Sequence, residues 1–205
     1  MASFDLAYPI IKKWEGNEVY ALLKGDDGGE TYAGIARVPN PGWPGWLIID
    51  QVKRKYRNGR IPNGTRINDA SLALAVKAYY QNLWLNKAKG DKIIHQQMAN
   101  LVFDMSVNHG KGPQLINEAI VAAGGKIKIT NSISSDTLNF LNSVPEKIYP
   151  FIIQRREKYY RSLADFHLFG KGWLNRLASF PKTITAAEAA AGGATVLLLI
   201  ASLFF

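Results

Sequence analysis

Glu15 stands where the sequence puts a carboxyl group under pressure to stay protonated. Phe4, Tyr8 and Ile11 recur at three- and four-residue spacing, and Glu15 is the next position on that stripe, directly before Gly16. A carboxylate on the buried stripe of a helix's last turn is costly when ionised, because desolvation disfavours the charged form and moves its pKa upward. The negative end of the helix dipole and the neighbouring ring of Trp14 act in the same direction. A group held that way is suited to general acid catalysis. Periodicity alone leaves an exposed glutamate, one position off the stripe, as an equal reading.

Acid-catalysed cleavage of a glycosidic bond also calls for a second carboxylate, as base for a water or as nucleophile. Asp26, Asp27 and Glu30 crowd the turn just downstream, and Thr31 adds a hydroxyl that can hold a water without changing charge. Asp26 is expected to stabilise the developing positive charge or to activate that water, with Thr31 positioning it. The glycines of the same turn let backbone approach a bulky sugar. Asp-Asp-Gly-Gly is equally ordinary turn chemistry, and Glu18 is a further carboxylate close by with no assigned part.

The elements that must position these groups follow from periodicity and punctuation. Residues 3–15 read as an amphipathic helix with Ser3 as N-cap and Gly16 as terminator. Val19 to Leu23, the turn Gly25 to Gly29, and Thr31 to Ile35 read as a small β-hairpin. Pro39 to Trp46 is a loop whose Trp43 and Trp46 either pack on the body, the commoner fate, or stack on a sugar ring. After a second loop at Gly59 to Gly64, Asn68 or Asp69 caps a helix from about Ala70 to Leu85, with Leu72, Val76, Tyr79 and Leu83 inward. Further helices run through Ile94, Met98, Leu101, Val102 and Met105 to near Gly110, and through Leu115, Ala119, Ile120 and Ala123 to Gly124-Gly125. Pro145 opens a longer one through Ile148, Ile152, Tyr159 and Leu163. The fold class is mainly α with one small hairpin.

Composition narrows the partners. A formal charge of +9 attracts polyanions, among which cell wall, anionic lipid and nucleic acid all qualify. The lysines and arginines are spread along the chain without a nucleic-acid-binding motif, so no nucleic-acid partner is expected. With no cysteine and only the scattered His95, His109 and His167, neither a metal nor a cofactor is expected. The N-terminus lacks the basic and apolar runs of a secretory signal peptide. From Ala189 to Phe205 the chain carries no charge and turns strongly apolar, and counted from Ile184 it is long enough to span a bilayer. The expectation is a C-terminal transmembrane helix over residues 184–205, joined to the body by an Ala/Gly-rich passage at Ala186 to Ala194; a helix buried in the fold or in an oligomer interface is the alternative.

The motifs together carry a family resemblance. Trp14-Glu15-Gly16-Asn17-Glu18-Val19-Tyr20, then Asp26-Asp27-Gly28-Gly29-Glu30-Thr31-Tyr32-Ala33-Gly34-Ile35, resembles the N-terminal signature of glycoside hydrolase family 108, the phage and bacterial N-acetylmuramidases. Tyr79-Tyr80-Gln81-Asn82-Leu83-Trp84 is similar to that family's tyrosine and tryptophan helix. Val102-Phe103-Asp104-Met105-Ser106-Val107-Asn108-His109-Gly110 and Gly172-Trp173-Leu174-Asn175-Arg176 continue the likeness. The resemblance implies Glu15 as catalytic acid. Within the motifs, Tyr20, Asp27, Tyr32, Trp84 and Asn108 are the candidate substrate-binding residues, while Asn108-His109-Gly110 and Gly172-Trp173 read equally as cleft wall or as helix cap and core anchor. The implied layout is a lysozyme-like catalytic region over 1–91 and a helical peptidoglycan-binding-like region over 92–182, to which the apolar run adds a membrane tail over 183–205. The implied activity is cleavage of the β-1,4 bond of peptidoglycan glycan strands. A phage lysin tied to a virion membrane or a host inner membrane is the expected setting, with a bacterial secretion-associated muramidase as the competing one. A lytic transglycosylase and a non-catalytic, membrane-anchored wall-binding or structural protein are the other readings.

Overall fold

The computed structural model describes residues 1–16, 18–22 and 27–185; Asp26 and residues 186–205 lie outside them. The chain divides into two compact units, Tyr8–Asn82 and, separately, Met1–Ala7 with the chain from Leu83 onward.

In the Tyr8–Asn82 unit, helix α1 (Phe4–Trp14) brings in Ile11, fully buried on its inward stripe. The helix ends as its sequence directs. The Glu15 N–H donates to the Ile11 carbonyl at 3.0 Å, and Gly16 follows at φ +81°, a left-handed conformation that glycine adopts without steric cost. Three short antiparallel strands follow, β1 (Tyr20–Leu22), β2 (Glu30–Tyr32) and β3 (Ile35–Ala36), in the order β1-β2-β3. The expected hairpin is therefore extended by a third strand. Its cause is local: Ala33 at φ +50° and Gly34 at φ +77° form a two-residue turn between the paired Tyr32 and Ile35, the left-handed geometry that matches strand twist. Alternation then sorts the faces. Tyr20, Tyr32 and Ile35 are buried on one side, while the small Ala21, Thr31 and Ala36 share the other.

Helix α2 (Gly45–Lys53) starts inside the expected Pro39–Trp46 loop and runs on through chain to which no element was assigned, and it buries Trp46 and Ile49. Trp43 and Trp46 pack rather than project: their rings meet edge to face at 5.0 Å, and their N–H groups donate to the Ala75 and Asn40 carbonyls. Helix α3 (Ala70–Leu83) starts where Asp69 Oδ1 accepts from the Leu72 N–H at 2.9 Å. Its fully buried stripe is Leu72, Val76 and Tyr80, with four-residue spacing, so Tyr80 and not Tyr79 is the core tyrosine.

The other unit opens with a π-helical turn (Trp84–Ala88) and a short 3-10 turn (Gly90–Lys92). There follow α4 (Gln96–Asn108), α5 (Gly112–Ala122), α6 (Ser135–Ser143), α7 (Pro145–Arg161) and α8 (Phe166–Ala178). At their centre Asp104 is fully buried between two arginines. Arg176 donates to it from Nε and Nη2 at 2.9 and 2.7 Å, and Arg156 from Nη2. Arg156 Nε also donates to the Tyr160 hydroxyl at 2.9 Å, which donates in turn to Asn108 Oδ1 at 3.0 Å. His109 sits beside this group against the rings of Tyr159 and Tyr160. Burial, aided by Arg156, pushes its imidazole down to about 3, so it stays neutral.

No helix among the described residues is long and apolar enough to cross a membrane. Of the segment expected to do so, only Ile184 and Thr185 are described. Ile184 is packed into the globular unit, and the Thr185 carbonyl oxygen lies 3.1 Å from His95 Nε2.

Candidate active site

The acidic residue singled out by the α1 stripe is half-buried at the helix's end and packed against a position that has no side chain. A Cβ built on Gly34 would fall 2.6 Å from Glu15 Oε2 and 2.9 Å from Glu15 Cβ. These are closer than any real non-bonded contact, so the Ala33–Gly34 turn and Glu15 fit only because residue 34 is glycine. The same point is 2.8 Å from the Tyr80 hydroxyl, which donates to the Ala33 carbonyl at 2.6 Å. Helix α3 thus fastens the turn from beneath, and the turn fixes where the carboxyl group of Glu15 can lie. Gly34 itself is exposed, so solvent reaches the turn beside that carboxyl group.

Neighbouring rings complete the wall. Tyr8 packs on Tyr80 with centroids 5.9 Å apart, and Tyr79 meets Tyr80 edge to face at 5.4 Å. Burial raises the Tyr79 pKa, with the Glu15 charge pushing the same way and the hydrogen bond to Asn40 opposing them. Burial, together with Glu18, pushes the Tyr8 hydroxyl up to about 12. These phenols therefore remain neutral donors and acceptors across the physiological range. Asn40 connects this wall to a cleft of about 480 Å³ lined by Arg37, Trp43, Trp46, Leu47 and Asp50: its Oδ1 accepts from Tyr79 at 3.2 Å and its carbonyl from Trp46.

The downstream carboxylates separate in character. Glu30 is committed to structure: it accepts from Tyr20 at 2.8 Å, pairs with Arg37 at 3.1 Å, and pairs with Lys53. Burial works to raise its pKa, but Lys53, Tyr20 and Arg37 together outweigh that and hold it below the usual range. Glu18 is paired with Lys12 at 2.8 Å. Asp27 is exposed at the turn, Asp26 lies outside the described residues, and Thr31 is half-buried in mid-strand on the face it shares with Ala21 and Ala36. Among the described residues no group of three His, Asp or Glu is placed to hold a metal ion.

A family model described as Glycosyl hydrolase 108 matches residues 8–110, from the middle of α1 to the end of the Asn108-His109-Gly110 motif. The chain belongs to the glycosyl hydrolase 108 family. It is accordingly a glycoside hydrolase, of a family that is peptidoglycan-degrading and lysozyme-like in character. Among solved structures, SagA of Brucella abortus superimposes with a TM-score of 0.60 at 18% identity, over 93% of this chain and 94% of that one. At that identity the likeness establishes the shared fold. No curated protein matches the chain.

Within this glycosyl hydrolase 108 chain, the residues named from the motifs fall into distinct settings. Tyr20 and Tyr32 are inward-facing residues of the sheet, 1% and 2% exposed, with hydroxyls donating to Glu30 and to the Ile67 carbonyl. Trp84 and Asn108 belong to the other compact unit. Trp84 is 2% exposed and packs edge to face on Phe103, and Asn108 accepts from Tyr160 at the end of α4. Trp173 stacks on Tyr160 at 5.6 Å, the core-anchor setting. Two contributors went unread in the sequence. Gly34 appeared only as a motif letter, and Tyr80 was passed over for Tyr79. The strict four-residue spacing Leu72, Val76, Tyr80 was the signal available.

Proposed function

We propose that this glycosyl hydrolase is an N-acetylmuramidase that cleaves the β-1,4 bond of peptidoglycan glycan strands with Glu15 as general acid. The observation that carries the reading is the Glu15 side chain lodged against Gly34, in a half-buried position beside an exposed turn. The missing side chain at residue 34 makes room for that carboxyl group, and the exposure of the turn gives solvent, and with it a glycan strand, a way to it.

In the proposed reaction Glu15 gives its proton to the glycosidic oxygen as the bond to the muramic acid C1 breaks, and positive charge develops on the sugar ring. Asp26 stabilises that charge or takes a proton from the attacking water, and Thr31 holds the water. Glu30 is not assigned this part, because its oxygens are already engaged by Lys53, Arg37 and Tyr20. The cleft of about 480 Å³ beside Trp43 and Trp46 is the place we assign to neighbouring sugars or the peptide stem. We propose further that the enzyme acts as a phage lysin held to a membrane through the apolar run that lies beyond the packed Ile184 and Thr185. The support for that is the uncharged, apolar run from Ala189 to Phe205.

Mass spectrometry of purified peptidoglycan after digestion tests the reading. Hydrolysis predicts fragments with reducing muramic acid ends that have gained one water per bond cut. Fragments ending in an anhydro sugar would replace it with transglycosylation, and undigested wall would remove the enzymatic reading.

A further inference from the structure

Residues 53–66 carry Lys53, Arg54, Lys55, Arg57, Arg60 and Arg66 and no carboxylate. Lys53 is engaged by Glu30 and Asp50. The other cations are all exposed, and among the described residues no carboxylate pairs with any of them. Like charges crowded on so short a stretch repel one another, and a partner of opposite sign relieves that repulsion.

The backbone beneath these charges is tied to the sheet. Strand β1 is an edge strand, and the loop runs along its free side. The Tyr20 N–H donates to the Thr65 carbonyl at 2.9 Å, and the Gly64 N–H donates to the Tyr20 carbonyl at 2.8 Å. Asn63 Oδ1 accepts from the Leu22 N–H at 2.7 Å while its Nδ2 donates to the Leu22 carbonyl at 3.2 Å, and Ile61 is buried. Arg60, Asn58 and Asn63 border a pocket of about 300 Å³ on this loop. The cations are therefore presented from a backbone already fixed, which lowers the ordering cost of binding, and they belong to the same compact unit as Glu15.

We propose that the loop over residues 53–66 is a docking surface for the anionic peptide stems of peptidoglycan, whose carboxylates meet Arg54, Lys55, Arg57 and Arg60. This rests on the muramidase reading, since the stems hang from the glycan strands that the enzyme would cut. The make-up of the loop favours stems over other polyanions. It holds no tryptophan or phenylalanine on which a base could stack, and its one ring, Tyr56, is half-buried. Its one large aliphatic side chain, Ile61, faces the core, so the loop offers no apolar anchor to a lipid surface. What it does offer is guanidinium groups, which take carboxylates in paired hydrogen bonds.

The test is co-sedimentation with purified insoluble peptidoglycan, after a short incubation on ice, of the full chain carrying Glu15→Gln so that the wall is not consumed. It is compared with the same chain carrying Arg54→Gln, Lys55→Gln, Arg57→Gln and Arg60→Gln together. At about 0.01 M salt, where charges act over roughly 30 Å, the four changes should weaken binding by about tenfold, and the gap should narrow at about 0.15 M, where the range is roughly 8 Å. Wall stripped of its stems by an amidase should bind both proteins alike. Arg54→Lys, Arg57→Lys and Arg60→Lys together keep the charge and should bind intact wall within about threefold of the unaltered loop, which separates lost charge from lost folding. Equal binding of the Gln variant and its parent to intact wall would overturn the proposal, as would loss of binding in the Lys variant or stripped wall held as tightly as intact wall. A loss seen only with duplex DNA or phosphatidylglycerol vesicles, with wall binding unmoved, would give the surface to those partners instead. Digestion of wall by Glu15→Gln would remove the general-acid reading alone, because the comparison of intact with stem-free wall still decides the docking surface.

Discussion

Replacing Gly34 with alanine should separate catalysis from folding, because the added methyl group meets Glu15, the proposed general acid, directly. Two costs can be worked out. At φ +77° a residue with a Cβ pays roughly 1–2 kcal/mol for the left-handed backbone, a modest part of the ~5–15 kcal/mol that holds a typical protein folded. The new Cβ would also lie 2.9 Å from Glu15 Cβ, where carbons settle at about 3.5–4.0 Å, so Glu15 has to retreat by something on the order of 1 Å. The neighbouring Tyr80 hydroxyl, at 2.8 Å and tied to Ala33, cannot absorb the collision for it. A misplacement of about 1 Å in a reacting group costs roughly 10²-fold in rate. Gly64→Ala is the matched control, with φ +81° and nothing within 4 Å of the added atom. The assay is release of reducing ends from purified peptidoglycan at saturating substrate, alongside urea unfolding of both variants. The expectation is similar loss of stability in the two, with about a hundredfold loss of turnover in Gly34→Ala alone. Equal turnover in both would refute the packing argument.

Three further outcomes follow from the charged groups. Asp104→Ala leaves Arg156 and Arg176 buried without their shared carboxylate and should cost about 3–5 kcal/mol, read as a fall in the urea midpoint. His109 has a folded-state pKa depressed to about 3, so stability present above pH 6.5 is lost as the pH falls toward 3, when the unfolded chain takes up a proton that the folded one refuses. His109→Leu should flatten that slope, and an unchanged slope between pH 6.5 and 4 would show that another group sets it. Glu30 is also depressed, so its contribution is full above the ordinary glutamate range and disappears as the pH falls through its folded value. Glu30→Gln should therefore cost about 1–3 kcal/mol at pH 7, with the gap to the parent narrowing as the pH falls through the folded-state value.

The helical body was legible wherever one periodic stripe dominated. Leu72 and Val76, Met98 to Met105, Leu115 to Ile120, and Ile148 and Ile152 all point inward as their spacing requires. Glycine and proline punctuation gave the ends at Gly16, Gly124 and Pro145. What escaped depended on contacts between distant residues. Helix α2 starts within a proline- and glycine-rich stretch, and its Trp46 is held by the Asn40 carbonyl and by Arg37, whose guanidinium lies 4.6 Å from the ring. The third strand depends on Ala33, a residue with no compositional preference for φ +50°. Helical spacing singled out Glu15, but Gly34, whose missing side chain leaves it room, is 19 positions away in sequence. Spacing within one element cannot report such neighbours. The aromatic motif letters misled for the opposite reason: Tyr20, Tyr32 and Trp84 are conspicuous because they fill the core.

The most direct measurement is peptidoglycan zymography, with solution turnover, of the full chain against Glu15→Gln, a change that keeps the side chain's shape and removes its acidic proton. With unchanged circular dichroism, the account predicts that clearing disappears and turnover falls by about 10²–10⁴-fold. Wall digestion by Glu15→Gln at the parent's rate would contradict it.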